Sequence, residues 1–328
     1  MKVLLVDVDS KMPNLALMKL SAHHKARGDE VGLLRHRIEE VPLDYFDKAY
    51  ISCIFSKNAK CAERIKIGLN AIKGLGSNAV EIGGYGVNGI KLPDEIEHTM
   101  PDYDLYDCDF SMGFTSRGCI RNCPFCHVPK LEGGIRDHAS IQEFHHPDHK
   151  KIMLLDNNFL ASPKWRENWR LVLEQGLKMC MTQGFDARLI TEESAELIAD
   201  ARSYDTKFQD HRVYTAWDDP TDKEPILRGI QRLLDAGVRG PSIIVYMLIG
   251  FNTTLEQDLY RFDTLVGMGT RPFVMPFNGR RDHPMVRWGQ RPAIYMRIPF
   301  GEYARLKEAG ISHPEEVFEK PSTISVKT

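Results

Sequence analysis

Residues 115–130 read TSRGCIRNCPFCHVPK and set Cys119, Cys123 and Cys126 in a C-x3-C-x2-C arrangement. Three thiols within eight residues, in a chain with an odd total of seven cysteines, favour metal or redox chemistry over a disulfide framework. The apolar run just before them, near residues 109–114, reads as a strand, so the cysteines fall on the loop at its C-terminal end. Parallel α/β folds gather their chemistry beyond the C-terminal ends of strands.

Downstream of that run, further strands are predicted near 151–156, 178–185, 212–217, 242–249 and 272–277, spaced as in successive βα units. Helices fit between them. Ser162-Pro163 ahead of a run stopping at Gly176 gives an N-cap, a proline at the first helical position and a C-terminal glycine. Thr253 with Glu256 makes a capping box ahead of Leu259, Phe262 and Leu265. Six such units predict an open, partial (β/α)6 barrel over residues 106–280, with 281–328 as a C-terminal extension near its mouth.

Upstream, strands are expected at 2–8, 31–35, 48–54 and 78–83. A helix is expected from Pro13 to Arg27, stopped by Gly28, and another is marked by Ala62, Ile65, Leu69 and Ile72 on one face. Residues 1–105 thus read as a small Rossmann-like α/β domain, and LPDEIEHTMPDYDLYD, residues 92–107, as its connection to the barrel. The start MKVLLV runs into Asp7 and Asp9, the mark of a buried strand and not of a signal peptide, so a cytoplasmic location is expected.

Composition bounds the function classes. Hydrophobic residues at 42%, charged residues at 27% and a mean hydropathy of -0.34 are those of a globular protein. No apolar stretch is long enough to make a membrane partner. Forty-three Lys and Arg against forty-five Asp and Glu leave a net charge of -2, so a nucleic-acid partner would need a local basic patch.

Three thiolates on one short loop can hold three corners of an iron-sulfur cube, whereas structural zinc takes four ligands. With Phe125 just before the third cysteine, the stretch resembles the signature of the radical SAM enzymes. That resemblance implies a 4Fe-4S cluster on Cys119, Cys123 and Cys126 and S-adenosyl-L-methionine on its open iron. It also implies reductive cleavage to a 5'-deoxyadenosyl radical and an electron donor such as flavodoxin or ferredoxin. The alternative is a zinc-bound interaction domain, with Cys108 as the nearest fourth ligand.

The resemblance extends along the chain. IMLLDNNFL, residues 152–160, looks like the family's aspartate-bearing strand and implies that Asp156 and Asn157 meet the methionine amino group, unless Asp156 caps the following turn. In QGFDARL, Asp186 and Arg188 alternate with Phe185 and Ala187 on the third strand, placing two polar groups inside the barrel. Arg188 suits the cofactor's carboxylate, or else pairs internally with an aspartate. YMLIGFNTT is similar to the family's glycine-containing strand end, which implies that backbone at Gly250 and Phe251 lies along the adenine, unless the glycine simply begins a loop.

ISCI at 51–54 and EIGGYG at 81–86 look like the turns of cobalamin-binding Rossmann domains, yet the loop DVDSKMPN carries no histidine to ligate cobalt. Two readings stand: cobalamin bound without a histidine, or a degenerate domain that shields the barrel mouth or helps form the substrate site. GRRDHPMVRWGQR, residues 279–291, offers Arg280, Arg281, Arg287 and Trp288 as substrate contacts of the kind that meet phosphates and a base, or a solvated face with one packed tryptophan. His138, His145, His146 and His149 are read as a solvated surface or a metal site, Trp165 and Trp169 as core, and Cys53, Cys61 and Cys180 as small buried hydrophobes. No group is assigned to the catalytic step itself.

The motifs leave the reaction after radical formation open. A further C-terminal cysteine cluster is absent, which disfavours sulfur insertion. The compact length and basic mouth resemble phage radical SAM isomerases that act on an amino-acid-modified thymine in DNA, which implies a host cytoplasm. A cobalamin-assisted methylase and a peptide or metabolite modifier are the alternatives.

Overall fold

The computed structural model describes residues 1–35, 46–71, 79–201, 203–279 and 283–314. Ile72, Arg280 and Arg281 lie outside the described residues. The architecture is mixed α/β with parallel sheets. Strands β1 (Lys2–Asp7), β2 (Glu30–Arg35), β3 (Lys48–Ser52) and β4 (Val80–Gly83) form one parallel sheet in the order β2-β1-β3-β4. Alternation along β1 sends Val3 and Leu5 to one core and Val6, with Val8 beyond it, to another. The helix Leu15–Ala26, capped by Asn14 on the Leu17 N–H, delivers Leu17 and Leu20 to the first core. The helix Ala59–Asn70 delivers Ala62, Ile65 and Leu69 to the second. Each fully buried Leu or Ile contributes about 1.5–3 kcal/mol, so this layer is held chiefly by its two apolar faces.

Strand β5 (Ser111–Gly113) leads into β6 (Ser116–Arg117), which pairs antiparallel with β7 (Arg136–Asp137). Strands β8 (Lys151–Leu154) and β9 (Lys178–Met181) complete a three-stranded sheet in the order β5-β8-β9. Strands β10 (Val213–Ala216), β11 (Ile243–Ile249) and β12 (Arg271–Pro276) form another, parallel and in sequence order.

All six expected strands are present, with differences at their ends and in the caps. The third stops at Met181 because the chain turns at Gly184, with φ of +78°, and Ala187–Leu189 is a 3-10 turn. Asp186 and Arg188 are therefore not alternating strand residues. The box expected at Thr253 and Glu256 sits one residue later, on Thr254 and Gln257, ahead of the helix Leu255–Gly267. The helix after Pro163 begins at Trp165 with Lys164 as its cap, while the Ser162 hydroxyl accepts the Lys164 N–H.

By contacts the chain divides into one unit of Met1–Asn122 with Cys126–Cys180 and a second of Cys123–Phe125 with Met181–Thr328. The position 105/106, where the sequence suggests a boundary, falls within the first of these units. Tyr103 is buried, accepts the Met112 N–H at 3.0 Å and donates to the Phe144 carbonyl, and the Tyr106 hydroxyl donates to Asp7 at 2.8 Å. The acidic connection is thus packed chain at Tyr103 and Tyr106. Within the second unit, the helix Pro284–Gly289 closes on β12 and on the helix Leu255–Gly267. A Cβ on Gly289 would lie 2.7 Å from Val274 and 2.9 Å from Phe262. The position 280/281 likewise falls within the second unit. Among them, no helix is long and apolar enough to cross a membrane.

Candidate functional site

The β6–β7 ladder flanks the cysteine loop on both sides, and the loop's neck is built from backbone. Gly118 has φ of +80°, and a Cβ there would sit 2.1 Å from the Gly134 carbonyl oxygen, so only glycine lets the two sides close. The Cys119 N–H donates to the Gly133 carbonyl at 3.2 Å. Glu132 gathers four donors from three segments. Its Oε2 accepts the Gly118 N–H at 3.0 Å and the Asn157 amide at 2.9 Å. Its Oε1 accepts the Tyr85 hydroxyl at 2.8 Å and pairs with Arg117 at 3.1 Å. The Arg117 guanidinium also lies 3.9 Å from the centre of the Phe114 ring.

Cys119, Cys123 and Cys126 are free thiols, each half-buried. The Cys119 sulfur accepts the Arg121 N–H at 3.3 Å and lies 3.5 Å from the Asn158 amide nitrogen, contacts of the kind made to a metal-bound sulfur. Among the described residues, no group of three or more His, Cys, Asp or Glu side chains is already gathered to hold a metal ion. The donor chemistry still fits an iron-sulfur cluster: three accessible thiols, a neck that fixes where their loop begins and ends, and N–H groups directed at a sulfur. Cys108 fits less well as a fourth ligand. Burial, then Asp109 and Asp107, push its thiol up to about 11, so ligation would have to overcome a proton held more tightly than usual.

Asp156 is engaged by residues just before the cysteine loop. It is fully buried, and its two oxygens accept the backbone N–H and hydroxyl of both Thr115 and Ser116 at 2.6–3.0 Å. Burial raises its pKa, against the four donors that favour the charged form. It anchors the chain entering the cysteine loop. Asn157 is half-buried, and because its Nδ2 is turned to Glu132, its Oδ1 faces away as an acceptor.

In the second unit, Arg188 is spoken for by carboxylates. It meets Asp186 through Nε at 2.7 Å and Nη2 at 3.2 Å, and Asp222 through Nη1 at 2.5 Å. These bonds realise the internal ion pair that the sequence left open, and the helix Lys223–Asp235 seats on the same turn. A Cβ on Gly229 would be 1.9 Å from the Ala187 carbonyl oxygen. Phe125 and Phe251 are brought together, ring centres 5.6 Å apart and edge to face, and Phe251 meets Phe277 at 4.7 Å. Gly250 has φ of +72° with open space where a Cβ would be, so it is required by the turn and not by close packing.

Sequence patterns gave no warning of Arg261. It is fully buried and ties the ends of β10 and β11 by donating to the Trp217, Asp218 and Leu248 carbonyls, with Asp258 as its counter-ion at 2.6 Å.

At the turns that look like a cobalamin site, the glycines serve the domain's own packing. A Cβ on Gly84 would lie 2.3 Å from the Cys53 carbonyl oxygen, and one on Gly86 would lie 2.8 Å from the Phe55 backbone. Asp9 accepts the Ile54 and Phe55 N–H groups at 2.8 and 2.9 Å, so the loops after β1 and β3 are bonded to each other.

Trp288 is buried, with its indole N–H on the Ile298 carbonyl at 2.7 Å, and offers no face to a base. Arg287 is half-buried beside His313 at 3.0 Å. The histidines are not a uniformly solvated face either. His145 and His149 each bring Nδ1 to the buried Ser111 hydroxyl, at 3.1 and 3.0 Å, and His138 pairs with Glu97 at 3.0 Å. Trp165, Trp169, Cys53 and Cys180 are core, and Cys61 is half-buried.

No family model matches the chain, and no curated protein matches it.

Proposed function

We propose that the chain is a radical SAM enzyme, built from a degenerate Rossmann-like domain and a partial (β/α)6 barrel. One observation carries the reading: the C-x3-C-x2-C loop with Phe125 before its third cysteine follows the first of six strands, and its neck is fixed by Gly118 and Glu132. The order β2-β1-β3-β4 and the sequence-ordered later sheets support the two architectures. When bound, a 4Fe-4S cluster would supply the electron that cleaves S-adenosyl-L-methionine to methionine and a 5'-deoxyadenosyl radical. Cys119, Cys123 and Cys126 would hold it. Asn157, with its amide oriented by Glu132, takes over from Asp156 as the group suited to an ammonium, and the Phe125–Phe251 pair with the Gly250 turn is the surface suited to a purine. Cobalamin finds less support, since the turns that would admit it are filled by backbone.

The narrower reading is isomerisation or other modification of an amino-acid-bearing thymine in DNA. It rests on Arg280, Arg281 and Arg287, no longer on Trp288. Electron supply by a flavodoxin or ferredoxin and residence in the cytoplasm belong to the same proposal.

Anaerobic loading with iron and sulfide, followed by S-adenosyl-L-methionine and a strong reductant, tests it. Four irons per chain and release of 5'-deoxyadenosine are expected of the parent. Replacing Cys119, Cys123 or Cys126 by Ala should abolish release, and Cys108→Ala should preserve it. One zinc per chain and no brown colour would instead favour the interaction-domain reading.

A further inference from the structure

We infer that the Gly84–Gly86 turn of the N-terminal sheet is a strut for the cysteine loop, with Tyr85 as the positioning residue that acts through Glu132. The loop's importance rests on the function proposed above; the strut itself rests on geometry. Its base is rigid. The Cys53 N–H donates to the Gly83 carbonyl at 3.0 Å, the Gly86 N–H returns to the Cys53 carbonyl at 3.0 Å, and the glycines allow the turn to lie directly on residues 53–55. That segment is held in turn by Asp9.

From this base Tyr85 projects a ring that stays 42% exposed, so apolar burial does not account for its placement. The hydroxyl does. It donates to Glu132 Oε1 at 2.8 Å and accepts from Arg117 Nη2 at 2.9 Å, closing a triangle with the Arg117–Glu132 pair. Burial first, opposed by the Arg117 charge and reinforced by the bond to Glu132, pushes the phenol up to about 12, so the proton stays available for donation. The other oxygen of Glu132 holds the Gly118 N–H, one residue before Cys119, and the Asn157 amide. A single hydroxyl therefore braces the carboxylate that fixes both the loop's first residue and the side chain we assign to the cofactor. This gives the N-terminal sheet a role that requires no cobalamin.

Tyr85→Phe removes the hydroxyl and keeps the ring. In metal-free protein, trypsin should cut after Arg121 or Lys130 about three- to tenfold faster in Tyr85→Phe than in the parent, since local opening of the neck becomes that much more populated. The melting temperature should stay unchanged. Glu132→Gln should act in the same direction, and Ile90→Ala, an exposed change on the same domain, should not. After loading with iron and sulfide and reduction, the electron paramagnetic resonance signal of Tyr85→Phe should differ in g-values from the parent's. Loop cleavage within twofold of the parent in both variants, or faster cleavage with an unaltered resonance signal, would overturn the inference. A parent that takes up no iron would sink the proposed function, while the cleavage comparison would still decide the strut.

Discussion

Two carboxylates, one buried and one half-buried, carry opposite lessons at the scale of single residues. Asp156 accepts four hydrogen bonds from Thr115 and Ser116, so Asp156→Ala should cost about 3 kcal/mol or more by leaving buried donors unsatisfied. Urea unfolding of the metal-free protein checks this; a ligand-binding role alone would leave that stability intact. Glu97 sits between Lys19 and His138, each at 3.0 Å. Burial alone would raise its pKa, but His138 and Lys19 outweigh burial and bring it down to about 2 from the ordinary 4.5. A carboxylate depressed in the folded state stabilises above its unfolded pKa and loses that contribution as pH falls through the folded one. Lys19 is itself pulled below its ordinary value, by burial first, so the net worth of the pair is smaller than the Glu97 shift taken alone. We expect about 2 kcal/mol of stability to disappear between roughly pH 5 and pH 2, and Glu97→Gln to flatten that part of the pH profile. An unchanged profile in the variant would contradict this.

Elements divide by how local their causes are. Gly118 and Gly89 both have positive φ, +80° and +64°, yet only Gly118 also meets backbone, with the Gly134 oxygen 2.1 Å from its ideal Cβ. Gly89→Ala should therefore cost about 1 kcal/mol of left-handed strain. Gly118→Ala should cost about 3 kcal/mol or more, because the β6–β7 neck cannot close around the added carbon. Thermal unfolding of the two variants side by side gives the comparison, and equal losses would count against the neck. The strands were legible because apolar runs of strand length end at turn residues, and the helix Leu15–Ala26 because Asn14 caps it and Gly28 stops it. The turn at 184–189 was misread as strand because Phe185 and Ala187 alternate with polar residues. The left-handed φ at Gly184 that breaks the strand leaves no trace in such a pattern. Glu132 was missed for a different reason: Tyr85, Gly118 and Asn157 stand 47, 14 and 25 residues away, and no periodicity encodes a carboxylate that collects donors across the fold.

For the whole molecule, the cysteine spacing was legible because one short loop contains it, whereas the inward packing of the acidic connection was not. The expected boundary at 105/106 followed the prolines and acids of the connection, but Tyr103 and Tyr106 turn that segment inward, onto Met112, Phe144 and Asp7. The substrate is the remaining property of the whole chain, and its net charge of -2 makes it testable by salt. A chain so nearly neutral has no global attraction for a polyanion, so any affinity for DNA must come from a few placed arginines. Each phosphate neutralised releases counterions and steepens the fall of log affinity with log salt by about 0.9. If DNA is the substrate, replacing two of Arg280, Arg281 and Arg287 by Ala should flatten that slope by about two, with iron content and uncoupled S-adenosyl-L-methionine cleavage unaltered. Trp288→Phe should leave the slope where it was, because the indole is committed to Ile298 inside the second unit. Titration of labelled duplex and single-stranded DNA at several salt concentrations provides the measurement. Binding that ignores salt, or no binding at all, would remove DNA and leave a small molecule or peptide, whose recognition depends on pocket contacts and not on released ions.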